Sequence, residues 1–378
     1  MPLTVDVVDR LDRFELLRVE WNEAAAAQLD PNVFLTWEWL ATWWQHLGAR
    51  HPGARLHVVT VRDEEGLVLA APLFRAEWGY GPLRAPVLHQ VSYDAGDYGG
   101  VLLVRRPEEA VAAFLAHLAD ALRHEARSVV LSRLTSDSRF LATLRSALEA
   151  SDQPGQPGRR GLAAAVTPTT DSLCPYAVVD DDYDLAARRK RHRIRQRLAR
   201  LAEAHDVVFA EHTGPTLEDG LKRFVEVHRR RWDARADAMQ GQLVDPDRQE
   251  FLLEAARELD AAGHLRLTTL QADGTTAAAN LDYEYAGRLY MFKTGFDPAF
   301  GRSAPGHLLV SHVFDLGLAR GVREFDFLRG DEDYKRGWTN RERHLVTVRL
   351  TRGGINGYVA GWRTRAAQTT TRYLHRSR

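Results

Sequence analysis

The chain has 378 residues with Lys+Arg 51 and Asp+Glu 51, so its formal net charge is zero. That balance excludes a generally basic nucleic-acid coat protein and an acidic solvating chain. The zero hides a split, because residues 1–180 hold 17 basic and 23 acidic side chains while residues 181–378 hold 34 and 28. Hydrophobic content of 44% with 27% charged residues is that of a globular protein. One cysteine, Cys174, excludes an intrachain disulfide framework and a cysteine-based zinc site, and its apolar surroundings suggest a buried, inert thiol. The apolar run Leu67–Phe74 is far short of the ~20 residues that span a bilayer. The N-terminus lacks the pattern of a secretory signal, so the expected location is the cytoplasm.

Periodicity predicts a helix over about Arg13–Leu29, then a Trp-rich helix capped by Thr36 and closed by Gly48, with Trp39, Leu40, Trp43, Trp44 and Leu47 at helical spacing. Three strand-like runs follow, LHVVTVR, LVLAAPLFRA and APVLHQV, the first two joined by the turn DEEG. The loop Tyr93–Gly100 leads to the strand VLLV, a helix from Pro107, the strand SVVLSRL and a helix over Asp137–Ala150. Residues 151–161, with two Pro and three Gly, read as a linker. The expected domains are therefore 1–155 and 162–378.

The second half opens with a strand region to Val179 and a basic helix from about Leu185 to Ala204, with Asp184 placed to cap it. Eight of the 13 residues Arg188–Arg200 are Lys or Arg, and none is acidic. A solvated face and an anion-binding face, with tRNA among the candidate ligands, are both open readings. The strand VVFAEH and two helices lead to a meander, HLRLTTLQ, TAAANLDYEYA and RLYMFKTGF, punctuated at Asp273-Gly274 and Ala286-Gly287. The Gly/Pro loop FGRSAPG then starts a helix, followed by the strand VREFDFL, a short helix at DEDYKRGW and the strand HLVTVRL. Gly301 and Gly306 have the spacing of a phosphate loop, but His307 and Leu308 stand where a nucleotide-hydrolysing loop needs Lys and Ser/Thr. Free N–H groups and the helix dipole still favour an anion there. The 15 histidines show no metal spacing, and no metal is expected.

This element order, with FLTWEWLATWWQHLG, HRRRWDARAD, GFDPAFGRSAPGHLL and EFDFLRGDEDYKRGW, resembles the GNAT superfamily of N-acyltransferases. Within it the sequence is similar to the CelD-like, cellulose-biosynthesis-type branch, related to the Fem-type aminoacyl transferases. The resemblance implies an α/β fold of the α+β kind: tandem GNAT-like modules, each a mixed, mainly antiparallel sheet flanked by helices. The first module would serve the acceptor and the second the acyl donor.

It also implies acyl-CoA as co-substrate, acetyl-CoA or longer, with its pyrophosphate near Arg302, Ser303, Gly306 and His307, and Phe292, Lys293 and Lys335 on the donor side. Tyr334 would protonate the leaving thiolate. Asp326, Asp331, Glu332 and His228 are candidate bases, Asp326 being set against Phe325 and Phe327 by strand alternation, or else paired with an arginine such as Arg329. Tyr93, Asp97, Tyr98 and Trp232 are candidate acceptor contacts. The expected activity is transfer of an acyl group to an amine of a small molecule or saccharide. The alternatives are a Fem-type transferase using aminoacyl-tRNA and a non-catalytic binding module in polysaccharide or envelope assembly.

Overall fold

The computed structural model describes residues 2–79, 84–151, 162–233 and 245–352. It contains two compact units. One comprises Met1–Asp30, Gly48–Thr170 and the stretch from Leu345; the other comprises Pro31–Leu47 and Asp171–His344. This differs from the expected division in two places. The Trp-rich segment belongs with the second unit, and the chain from Leu345 returns to the first. The change of unit falls inside two strands rather than only at the linker, whose residues 152–161 lie outside those described.

In the first unit β1 (Thr4–Val8) was not foreseen. It pairs antiparallel with β3 (Val58–Asp63), in a sheet completed by β4 (Gly66–Ala71) and β7 (Leu102–Leu103). The run LVLAAPLFRA is two strands, not one. Pro72 has no N–H for a ladder, and the chain changes sheet there. Beyond it β5 (Leu73–Trp78) pairs with β2 (Arg55–Leu56) and β6 (Ala85–Gln90), and β6 runs parallel to β8 (Ser128–Thr135). The helix expected over Arg13–Leu29 is also split, into α1 (Leu11–Glu15) and α2 (Arg18–Ala27). Helices α4 (Pro107–His124) and α5 (Arg139–Ser151) cover a core that includes Val59, Leu69, Leu88, Phe114, Leu118, Leu131 and Leu141.

The second unit contains α3 (Trp37–His46), the end of β9 (Leu162–Val178), α6 (Asp181–Ala204), β10 (Val207–His212), α7 (Leu217–Asp233) and α8 (Pro246–Ala261). Then come β11 (Leu265–Ala272), β12 (Thr275–Tyr285), β13 (Arg288–Phe296), α9 (Pro305–Ala319), β14 (Glu324–Asp326), α10 (Asp333–Arg336) and the start of β15 (Arg341–Arg352). Its strand order is β10-β11-β12-β13-β14-β9, antiparallel except for the β13–β14 pair. Both meander turns have two successive residues at positive φ, Asp273-Gly274 and Ala286-Gly287, whose twist matches that of the flanking strands.

The core lies on both sheet faces. Phe314 stacks on Phe325 at 3.9 Å beneath α9. On the other side Phe34, Trp39, Tyr283 and Phe292 form an edge-to-face cluster, with Trp39 also against Phe251 of α8. Such pairs contribute about 0.5–1.5 kcal/mol each beyond the apolar area they bury. This cluster is what attaches the Trp-rich helix to the second unit. The basic helix starts four residues earlier than expected, because the cap is Asp180, whose side chain accepts from Tyr183 N–H, and not Asp184. Cys174 is fully buried.

Candidate functional site

The site begins where two parallel strands part. β13 and β14 pair only at Arg288↔Glu324, Leu289↔Phe325 and Tyr290↔Asp326, yet β13 continues to Phe296. After Asp326 the chain stays with β9 instead. Phe327 N–H donates to Pro175 O at 3.0 Å, and Gly330 N–H to Leu173 O at 2.9 Å. A wedge therefore opens between Met291–Phe296 and the segment after Asp326, and backbone groups of a β-strand facing it lack a strand partner on that side.

Asp326 shapes this divergence. Its carboxylate is fully buried, with Oδ1 accepting Leu328 N–H at 2.8 Å and Oδ2 3.2 Å from Arg343 Nη1. Arg343 also binds Glu324 at 2.5 Å and lies 4.1 Å over the Tyr176 ring. Leu328 has φ 58°, a left-handed turn that the Asp326 hydrogen bond supports. So the strand face holding Asp326 is interior rather than a rim, and Arg343 is an ion-pair partner of its carboxylate.

Above the wedge, Asp297 caps a 3₁₀ turn over Pro298–Ser303, accepting from Ala299 N–H at 2.9 Å, and Ala304 turns through φ 51° into α9. Pro305 occupies the first helical turn, and the helix has no side-chain cap. The N–H groups of His307 and Leu308 turn back to Ala304 O at 3.0 and 3.3 Å. Arg302 is exposed; Ser303, Gly306 and His307 are half-buried. A Cβ on Gly301 would meet nothing within 4 Å, and one on Gly306 only Phe296 Cδ1 at 3.7 Å and Thr294 Cγ2 at 4.0 Å. The fold itself does not demand glycine at either position.

The first turn of α9 meets the short helix after β14. The His307 and Tyr334 rings are edge to face at 6.2 Å, and Phe327 stands 6.4 Å from Tyr334. Although 41% of Tyr334 is exposed, burial among these neighbours, with the Glu332 charge adding, pushes its hydroxyl up to about 12. It is a protonated phenol throughout the ordinary pH range.

The remaining candidates fall in different places. Lys335 is buried, its Nζ held by Arg329 O at 2.6 Å, Gly330 O at 3.3 Å and Glu332 Oε2 at 2.8 Å, so its donors close the 329–332 loop rather than face a ligand. Glu332 is exposed and paired to it; Asp331 pairs with Arg336 at 2.6 Å. Phe292 belongs to the aromatic core, with Lys293 Nζ 4.4 Å from its ring centroid. Tyr93, Asp97 and Tyr98 lie in the first unit, where Tyr93 packs among His51, Phe74, Trp78 and His89, and Asp97 and Tyr98 are buried. The side chain of Trp232 lies outside the described residues, as do those of Arg188–Arg191 in the basic helix.

His228 sits on α7 against β13. Gly295 makes room for it, since a Cβ there would stand 2.8 Å from His228 Nε2. That nitrogen is buried without a hydrogen-bond partner. Burial first, then the Arg231 and Lys293 charges, holds His228 down to about 3. An unfolded histidine titrates near 6.5, so between the two values the unfolded chain binds more protons. The stability from His228 is fully present above about pH 6.5 and is lost as pH falls toward 3, on the order of 5 kcal/mol in all. Urea titrations at pH 7 and pH 5 are expected to show a smaller acid loss in His228→Phe than in the unsubstituted protein. Equal losses would contradict this.

Sequence reasoning missed Asn280 and Asp282 on β12. Both are fully buried, and among the described residues none of their side-chain oxygens and nitrogens makes a well-formed hydrogen bond. Burial raises Asp282 well above the usual carboxylate range, although the nearby Asn280 amide and Phe292 backbone pull the other way. Nothing in the alternation of TAAANLDYEYA distinguishes these positions from solvent-facing ones.

A family model described as an acetyltransferase (GNAT) domain matches residues 188–336. The second unit carries a GNAT acetyltransferase domain. The parting strands, the loop and the start of α9 all fall within it, and the protein is an acyltransferase. No curated protein matches the sequence. Among solved structures, FemX is similar in fold, with a TM-score of 0.63 at 11% identity over 92% of this chain and 97% of that one. A conserved protein of unknown function from Bacteroides thetaiotaomicron VPI-5482 gives 0.57 at 13% identity over 93% and 100%. The GNAT domain thus sits in a two-unit chain whose architecture these structures share. Among the described residues, no helix is long and apolar enough to cross a membrane.

Proposed function

We propose that the GNAT domain transfers an acyl group from an acyl-CoA thioester to an amine of a small-molecule or saccharide acceptor, as in the CelD-like branch. The observation that carries this reading is the meeting of Tyr334 with His307 in the first turn of α9, beside the wedge between β13 and β14. The thioester arm would lie in the wedge along the unpaired edge of β13. The pyrophosphate would lie at the uncapped start of α9, with Arg302 adding a charged donor. The amine attacks the thioester carbon, the C–S bond breaks and the Tyr334 hydroxyl gives its proton to the departing sulfur; the nitrogen sheds its extra proton to solvent and the Tyr334 oxygen takes one back, leaving amide, CoA thiol and phenol.

Neither Asp326, paired to Arg343, nor His228, held neutral, is a strong base. The acceptor would therefore enter largely as the free amine. Glycine at position 306 is explained by close approach of the phosphates. Gly306→Ala should leave thermal stability nearly unchanged and weaken CoA binding about tenfold, or about 1.4 kcal/mol. The test is thiol release from a panel of acyl-CoAs in the presence of amines. Absence of release with every pair, together with no CoA binding, would remove the proposal.

A second reading rests on α6, where Arg193, Arg195, Arg197 and Arg200 are all exposed. A tRNA-borne aminoacyl donor would use such a face. Its binding would weaken steeply with salt, and binding that ignores salt would exclude it.

A further inference from the structure

In the first unit one sheet face packs under α4 and α5 through Leu73, Leu88, Val129, Leu131, Val348 and Leu350. Alternation turns Phe74, His89, Val130 and Arg349 to the opposite face. Strand pairing sets these four in one row: Phe74↔His89 between β5 and β6, His89↔Val130 between β6 and β8, and Val130↔Arg349 between β8 and β15. The next row on that face is Ala76, Val87 and Ser128, all short and buried. Arg349 reaches toward this second row from one end, where its Nη1 donates to Ser128 Oγ at 3.1 Å. Trp78 reaches over it from the other. Its backbone pairs one row further on, with Ala85, yet its ring stands 4.4 Å from that of His89. The Tyr93 ring completes the cluster, 4.8 Å from His89 and 5.4 Å from Trp78.

Arg349 is half-buried. Among the described residues Ser128 Oγ is its one hydrogen-bond acceptor, and no acid pairs with it. Burial alone moves its guanidinium below the ordinary value, with no acid pulling it back. A half-desolvated guanidinium has lost hydration, and an anion on its remaining N–H groups would offset that loss through its planar fork. His89 adds no charge, because burial first, then the Arg349 and His51 charges, hold its imidazole down to about 3. Trp78, His89 and Tyr93 are each half-buried, so part of every ring meets solvent. The rings are tilted to one another by 36°, 50° and 82°. They make no parallel slot for a flat molecule; they offer mixed faces and edges to a puckered one.

We propose that Arg349, Ser128 and the rings of Trp78, His89 and Tyr93 form a binding site in the first unit for an anionic saccharide, with the sugar ring on the aromatic cluster and its carboxylate or phosphate on Arg349. The site goes beyond the acyl-transfer reading and does not depend on it.

The test is ligand-observed saturation-transfer NMR on the intact protein, with no donor or amine present, so its outcome is separate from that of acyl transfer. Glucuronate is titrated against glucose, with inorganic phosphate as competitor. Glucuronate is expected to bind about tenfold more tightly than glucose and to be displaced by phosphate only in large excess. In Arg349→Gln the preference should fall toward one. Arg349→Lys, which keeps the charge and loses the fork, should retain part of it. Trp78→Leu should weaken glucuronate and glucose alike. Thermal unfolding accompanies each variant, and Arg349→Gln should melt no lower than the unsubstituted protein, because no ion pair is lost. No binding of glucuronate, equal binding of glucuronate and glucose, or an unchanged preference in Arg349→Gln overturns the site. A clear loss of melting temperature in Arg349→Gln would make Arg349 a structural residue and overturn it too. Phosphate that competes as tightly as glucuronate binds, or unchanged sugar binding in Trp78→Leu, overturns the role given to the rings.

Discussion

Tyr334→Phe is expected to lower kcat for acyl transfer about a hundredfold while leaving KM for the thioester within a few-fold. Positioned proton transfer contributes roughly 10²–10⁴ in rate. The substitution removes only the hydroxyl. The ring contacts with His307 and Phe327, at 6.2 and 6.4 Å, remain available to phenylalanine. Because the hydroxyl sits near 12, it stays protonated across the working range. The rate should show no loss attributable to its ionisation below about pH 10. A Tyr334→Phe enzyme that keeps its kcat would make Tyr334 a packing residue, and the leaving sulfur would then take its proton from water.

Replacing Asp326 is expected to act through stability first. Asp326→Ala leaves Arg343 buried without one of its two carboxylates and strands the Leu328 N–H. Removing one partner of a buried ion pair costs about 3–5 kcal/mol. Urea unfolding should show that loss. Arg343→Met should cost a similar amount, because it takes this cation from the buried Asp326 and leaves Glu324 to Arg288. If Asp326→Asn abolished turnover with stability intact, Asp326 would be a base after all, and the interior placement of its strand face would not explain its presence.

The contrast between these two residues shows what the sequence reveals. Alternation in VREFDFL separates Asp326 from Phe325 and Phe327 correctly, since Phe325 stacks under α9 and Asp326 lies on the other face. Alternation says nothing of whether the second face is wet. Arg343, 17 residues away on another strand, decides that, and no local pattern announces it. Lys335 fails in the same way. Expected on the donor side, its ammonium instead closes the loop that precedes it.

Local chemistry was legible. The two turns at Asp273-Gly274 and Ala286-Gly287, the start of α9 at Pro305 and the helical spacing of the tryptophans all follow from dihedral preference and periodicity. Long-range placement was not. Trp39 meets Phe251 and Tyr283 more than 200 residues later, so the Trp-rich helix joins the second unit although its sequence lies in the first half. Pro72 was visible, yet its consequence, a change of sheet within one apolar run, depends on strands elsewhere. Asn280 and Asp282 carried no sequence signal, because burial of a polar pair is a property of what packs over it.

The most direct test of the account is calorimetric titration of acetyl-CoA into the intact protein and into Gly306→Ala. One site per chain is expected in the unsubstituted protein and about tenfold weaker binding in Gly306→Ala, with unchanged thermal stability. No binding to the unsubstituted protein, or equal affinity in both, would contradict the placement of the donor at the start of α9.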